Sequence, residues 1–314
     1  MIDLANNSIK NSDMDKSNDS ELLTGVIPIG NVNGNLQSLY AWVNRVDEFP
    51  LKLILVHDIF DEQTSAALVK FMYTYKNLNI QLISGTFGSP GIARNAGLEI
   101  VNSEWTAFWD CDDKPCLDAI FSAINDSNME DEVLLGGFLT NNVFSNEVNT
   151  NHAVMPSLKT VAMNPGIWRM IFRSRALGKL RFTNLKLAED HVFASEMRLA
   201  ERRIGFFPKS FYEYSIGVEN QLTSKKTNLV DLQIASRIIF YNTNKKIDRN
   251  LIYFNMVLII RQQFTLLKSG NMLIKFGVLK YVFKFIARAK PHVIWLSLKA
   301  FLHTVINWKK SKLS

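Results

Sequence analysis

The sequence predicts an α/β fold, and three observations carry that prediction. Short apolar runs rich in branched residues, at 22–29 (LLTGVIPI) and 51–56 (LKLILV), have the length and composition of strands covered on both faces. Between such runs lie stretches of about ten residues whose apolar positions recur at helical spacing. The regular alternation of the two is the mark of parallel βαβ units with right-handed crossovers.

Taken in order, the first strand is followed by a helix over 36–46, where Leu36, Leu39, Tyr40, Val43 and Val46 fall on one face. The second strand leads to a helix over 63–75 that turns Ala67, Leu68, Phe71 and Met72 inward. A third strand at 79–84, a helix at 92–101 and a fourth strand at 105–109 come next. A helix at 117–124 and a strand-like run at 133–139 close the pattern.

Composition bounds the class of protein. The 314 residues are 47% hydrophobic and 21% charged, which excludes a disordered chain and supports a sizeable core. Two cysteines, Cys111 and Cys116, are too few for a disulfide scaffold and too few for a tetrahedral zinc site. Residues 1–20 are polar, rich in Asn, Ser and Asp, and read as a flexible N-terminus without the apolar run of a signal peptide. The expected location is the reducing cytoplasm.

In an open parallel sheet, ligands bind beyond the carboxyl ends of the strands. The unusual polar tracts fall at those ends: Gly30-Asn31, Asp58, residues 85–95, and Asp110 to Asp113. The sharpest is Trp109-Asp110-Cys111-Asp112-Asp113, three carboxylates within four residues directly after an apolar strand. They repel one another and raise each other's pKa unless a cation intervenes. Hard cations such as Mg²⁺ or Mn²⁺ take one or two such carboxylates together with substrate phosphates. A solvated turn leading into Lys114-Pro115 is the plainer alternative, and the buried strand before it favours the cation.

The order of these tracts resembles that of the family 2 glycosyltransferases. The carrying residues are Pro28-Ile29-Gly30-Asn31 after the first strand and Val56-His57-Asp58 after the second. A Gly-rich run follows, Gly88-Ser89-Pro90-Gly91-Ile92-Ala93-Arg94-Asn95-Ala96-Gly97, then Asp110-Cys111-Asp112-Asp113, then Glu189-Asp190-His191-Val192-Phe193. The resemblance covers roughly residues 22–220. It implies a GT-A fold, a mixed, mostly parallel sheet flanked by helices, over 21–225, and inverting transfer from a nucleotide-diphospho-sugar to a glycan or lipid-linked glycan. Surface-polysaccharide, lipopolysaccharide or capsule assembly is the implied setting.

By the same resemblance, Pro28, Asn31, Asp58, Arg94, Asn95, Asp110 and Asp112 bind the nucleotide-sugar. Asp58 accepts from the base, Arg94 lies beside base or phosphate, and Asp112 with Asp110 holds Mn²⁺ or Mg²⁺. Asp190 is the implied general base, with Glu189 raising its pKa. His57, Ile59 and Phe60 stand where the family carries a further Asp and a Ser, and a uridine donor is the expectation. No Gln-x-x-Arg-Trp tract of the processive members follows the Glu-Asp pair, so single-sugar addition is expected.

On the acceptor side, residues 164–182 offer Trp168 as an apolar face for a sugar ring, with Arg169, Arg173 and Arg175 as phosphate contacts. Core packing and a solvated face are equally open for them. His191 abuts the base and is a candidate for the site, whereas His152 is more plainly structural. The alternatives from other classes are a non-catalytic nucleotide-sugar-binding or scaffold protein on the same fold, and a nucleotidyltransferase. The latter lacks its Gly-rich opening after Ile29.

From Arg249 onward the chain has twelve Lys or Arg and no Asp or Glu, whereas the body before it is mildly acidic. The region 226–314 reads as a basic, amphipathic helical extension. Over 276–289, Lys280, Lys284 and Arg288 fall opposite Phe276, Leu279, Val282, Phe283 and Ile286. Pro291 breaks the helix, and a second apolar-basic helix runs to Trp308. An anionic membrane surface at the inner face of the cytoplasmic membrane is the expected partner, ahead of packing on the catalytic domain or a homodimer. No nucleic-acid motif accompanies the charge.

Overall fold

The computed structural model of the protein describes residues 21–59, 61–142, 145, 147–151, 158–217, 229–244, 248–269, 275, 277–278, 280 and 290–310. The polar start at 1–20, His152, and nearly all of the helix expected at 276–289 lie outside the described residues.

Four parallel strands make one half of a nine-stranded sheet: β1 (Leu23–Ile29), β2 (Leu51–Asp58), β3 (Ile80–Gly85) and β4 (Trp105–Phe108), ordered β3-β2-β1-β4. Alternate residues of each strand enter different cores. Leu53 and Leu55 meet α2 (Glu62–Thr74) and α4 (Leu117–Asn125) on one face. Ile54 and Val56 meet α3 (Pro90–Leu98) and the later helices on the other. Burial on both faces is why β1, β2 and β4 are mainly apolar, whereas β3 at the edge of the sheet is half-exposed and carries Gln81 and Ser84.

The expected helix at 36–46 is broken. A short α1 (Gln37–Tyr40) gives way to a 3₁₀ helix at Val43–Glu48, with Trp42 out of helical geometry at φ −134°. The apolar spacing is correct, since Leu36, Leu39, Val43 and Val46 are all buried. The break also buries Trp42, whose ring meets Trp109 edge-on at 5.8 Å.

The other half of the sheet mixes strand directions, with the short helices α5 (Leu158–Met163) and α6 (Ser174–Leu177) in its connections. β8 (Met170–Arg173) runs antiparallel between β4 and β6 (Val133–Asn142), and β6 pairs in parallel with the long β9 (Ile204–Ile216). Short strands β5 (Lys114–Pro115) and β7 (Val148–Asn151) pair with β9 and β6. The longest ladders are parallel.

Strand β8 sets Arg173 and Arg175, for which the sequence leaves phosphate contact and a solvated face equally open, apart from the acidic turn. Its antiparallel register sets Arg173 opposite Trp105, at the start of β4 and thus at the far edge of the sheet from the acidic turn. There the Arg173 guanidinium lies over the Trp105 ring at 4.1 Å, pairs with Glu104 and donates to the Asp131 carbonyl at 2.8 Å. Arg175 donates to the Met129 carbonyl at that same edge, 3.2 Å away.

Helices α8 (Leu229–Asn244) and α9 (Arg249–Ser269) belong to the expected C-terminal extension, yet they share a core with the sheet. Ile252, Phe254, Val257 and Leu258 of α9 are buried in the same cluster as Val26 and Val56. A helix apolar on nearly every side is a buried helix. The last helix, Pro291–Lys310, packs on α9 through Val293, Leu296 and Ala300, and Pro291 opens it, where its missing N–H costs nothing. Among the described residues no helix is long and apolar enough to cross a membrane.

Candidate active site

The carboxyl ends of β1 to β4 are built from their loops upward. After Pro28, which pairs with Val56, Asn31 is exposed and its side-chain oxygen accepts from the Asn33 amide at 3.2 Å. The Thr64 hydroxyl accepts from the Val32 and Gly34 amides and pins this loop to α2. At the end of β2, buried Asp58 accepts from the Phe87 amide at 2.8 Å and the Gly88 amide at 2.7 Å. Both its oxygens order the Gly-rich loop, where Gly88 has a φ of +75°, the left-handed region open to glycine.

That loop delivers α3, capped by the Ser89 hydroxyl and opened by Pro90. Gly91 lets the helix approach the chain at 182–183: a Cβ there would stand 2.9 Å from the Thr183 carbonyl oxygen. Asn95 uses both ends of its amide on Phe182, donating to its carbonyl at 2.9 Å and accepting from its amide at 2.7 Å. Asn95 thus fixes the segment that leads into α7 (Glu189–Glu196).

Arg94 is the hub. Buried beside the Phe182 ring, it donates to Asp110 at 2.6 Å and to Glu189 at 2.8 Å. Burial opposes its charge, but Asp110, Glu189 and Asp190 together raise its pKa above the ordinary value. A planar fork bridging two carboxylates suits Arg and not Lys. Burial drives Glu189 up to about 7 against the pull of Arg94, with Asp190 adding to the rise. Asp190 is raised as well, by burial first, and its Oδ1 accepts from the His191 amide at 2.8 Å. The pair begins α7 just after Ala188, a non-glycine residue held at φ +66°.

The acidic turn rests on β9. The Tyr212 hydroxyl accepts from the Asp110 amide at 2.8 Å, and buried Asp113 accepts from the Ser215 amide at 2.7 Å. Burial, then Asp112 and Asp110, push Asp113 up to about 9. Asp112 is partly exposed, and its carbonyl accepts from the Ser38 hydroxyl at 2.9 Å. Among the described residues no group of three or more His, Cys, Asp or Glu could hold a metal unaided. The donor set nonetheless fits a magnesium-like ion, which takes one or two carboxylates and completes its shell with phosphates and water.

Helix α9 enters the same centre. Gln262 Nε2 lies 3.0 Å from His191 Nδ1, and half-buried Arg261 faces Asp190 electrostatically while donating to the Ala162 carbonyl at 3.4 Å. Burial and the Arg261 charge lower His191 to about 3, so its imidazole is neutral. Sequence reasoning missed both α9 residues. The available signal was the polar tract Arg261-Gln262-Gln263 after a stretch from Leu251 to Ile260 that is apolar but for Asn255.

Trp168 lies in the 3₁₀ turn Ile167–Arg169, stacked on Tyr212 and Tyr214 at 4.9 and 5.4 Å and edge-on to Phe138. Arg169 beside it is buried, lies over the Phe138 ring at 5.3 Å and donates to the Asn164 carbonyl at 2.6 Å. Burial lowers its pKa to about 10.

The fold is that of the GT-A glycosyltransferases, a mixed, mostly parallel sheet flanked by helices. No protein-family model matches the chain, and no curated protein sequence does. Among solved structures it is similar to S. aureus TarS 1–349 in complex with UDP-GlcNAc. The TM-score is 0.59 at 18% identity, over 89% of this chain and 79% of that one. S. aureus TarS 1–349 in complex with UDP gives a TM-score of 0.51 at 16% identity, over 92% of each chain. At such identities the likeness is one of fold.

Proposed function

We propose that this protein is an inverting, metal-dependent glycosyltransferase. It moves one sugar from a nucleotide-diphospho-sugar, with uridine as the nucleotide, to a hydroxyl of a glycan or lipid-linked glycan. The observation that carries this reading is the convergence on Arg94 of residues from two distant tracts: Asp110 of the acidic turn, and Glu189 with Asp190 beside it. The TarS complexes with UDP-GlcNAc and UDP add support for the uridine donor.

In this reading Asp190 takes the proton of the acceptor hydroxyl as the oxygen attacks the anomeric carbon. The bond from that carbon to the diphosphate oxygen breaks on the opposite face, and the nucleoside diphosphate leaves. A carboxylate raised by burial is a better base for a hydroxyl than a solvated one. Asp112 and Asp110 would hold Mn²⁺ or Mg²⁺, which supplies Lewis-acid neutralisation of the departing diphosphate. Arg94 holds Asp110 and Glu189 in register, and the aromatic wall at Trp168 offers the acceptor an apolar face.

The test is release of free UDP from a UDP-sugar in the presence of Mn²⁺ or Mg²⁺, first with water and then with glycan acceptors. The expected result is cation-dependent release and a single addition to each acceptor. Donor binding without any release would make the protein a non-catalytic binder.

We also propose that the last helix rests on the inner face of the cytoplasmic membrane. Its outward stripe of Trp295, Leu298, Leu302 and Ile306 is exposed opposite the buried Val293, Leu296 and Ala300, and Lys299 stands over the Trp295 ring at 4.0 Å. Apolar side chains with adjoining lysines match an anionic bilayer surface. The protein is expected to float with vesicles containing anionic lipid and to stay behind with neutral ones. Failure to float with either removes the membrane from the account.

A further inference from the structure

Gln262 of α9 lies 71 residues beyond His191, yet a buried polar chain runs from that helix into the site. Gln263 Nε2 donates to the Ser236 hydroxyl at 2.8 Å, and that hydroxyl donates to Gln262 Oε1 at 2.6 Å. With its oxygen so occupied, the Gln262 amide turns Nε2 toward His191 Nδ1, 3.0 Å away. Ser236, Gln262 and Gln263 are all buried. Buried polar side chains in an apolar helix pair are costly unless satisfied. Gln263 Oε1 is left without a partner among the described residues, but the Ser236 hydroxyl and both ends of the Gln262 amide are engaged, and that holds the Gln262 amide in one arrangement. An amide nitrogen only donates, so the imidazole nitrogen facing it must accept.

We propose that α9 is part of the catalytic centre and that Gln262 is a positioning residue. It fixes His191 as the neutral tautomer with its proton on Nε2, leaving that N–H as a donor to the substrate hydroxyl handled by Asp190. This rests on the reading of Asp190 as the base. His191 follows Asp190 directly and gives its own backbone N–H to the Asp190 carboxylate, so the ring and the base move as one unit. The C-terminal helices are then a structural part of the enzyme's chemistry as well as of its core.

The test is nitrogen NMR of the full chain carrying ¹⁵N-labelled histidine, with His191 among the five assigned by difference against His191→Gln. The proposal expects a pyrrole-type Nε2 and a pyridine-type Nδ1 for His191. Gln262→Glu keeps the shape but presents only acceptors. It is expected to move a proton onto Nδ1 and to lower UDP release by about tenfold, the worth of one hydrogen bond. Ser236→Ala frees the Gln262 oxygen and is expected to blur the tautomer preference without removing the side chain that faces the ring.

A wild-type His191 protonated on Nδ1, or a His191 spectrum unchanged in Gln262→Glu, overturns the proposal. So does an unaltered rate of UDP release in that variant. The wild-type spectrum needs no variant to fold. Failure of the Asp190 reading would appear separately, as wild-type protein that releases no UDP while the tautomer signals remain readable.

Discussion

Asp190→Asn is expected to reduce UDP release by about 10²–10⁴-fold, the usual worth of a general base, while donor affinity stays near that of the wild type. The substitution is close to isosteric. The Asn side-chain oxygen can still accept from the His191 amide, as Asp190 Oδ1 does at 2.8 Å. Arg94 keeps its bonds to Asp110 and Glu189, so the architecture has no reason to change. Parallel measurement of UDP release and donor affinity checks the split. Equal loss of both would make Asp190 a binding residue, and no loss of either would remove it from the chemistry.

The second large effect falls on stability. Arg94→Met strips the guanidinium from between two carboxylates, one of them buried Glu189, and is expected to cost about 3–5 kcal/mol. Glu189→Gln should cost less, because Arg94 then keeps Asp110 and the amide oxygen still accepts. Arg94→Lys should fall between the two, since one ammonium cannot fork to two acids. Urea unfolding of the three variants gives the order, and an Arg94→Met midpoint equal to that of the wild type would show that the network bears no structural weight.

How far the sequence could be read follows from the physics of each element. Strands β1 and β2 were legible because burial on both faces leaves runs that are apolar at nearly every position, LTGVIPI and LKLILV. The tracts at their carboxyl ends were legible for the same reason, as polar residues right after such runs. Strand β8 was not, since MIFR is four residues inside an arginine-rich stretch and its direction is set by pairing with Trp105 and Ala107. β9 alternates too irregularly to read, carrying Pro208, Lys209 and Glu213, yet it supplies Tyr212 and the Ser215 amide beneath the acidic turn.

The helix at 36–46 had the right period and the wrong backbone, because local spacing carries no information about the Trp42–Trp109 contact across the core. The candidate site was legible as a set of residues and illegible as a network. Nothing near Arg94 in the chain announces Glu189, 95 residues away. Nothing near His191 announces Gln262, 71 residues on. The basic composition of the tail pointed outward to a surface, whereas the polar tract Arg261-Gln262-Gln263 points inward to the site.

The most direct measurement is calorimetric titration of UDP-sugar into the Asp190→Asn variant, which holds donor without consuming it, with Mn²⁺ and again after chelation. The account predicts donor uptake that requires the cation and that disappears when Asp112 is also changed to Asn. Uptake of equal strength with and without the cation would contradict it, and so would the absence of any uptake.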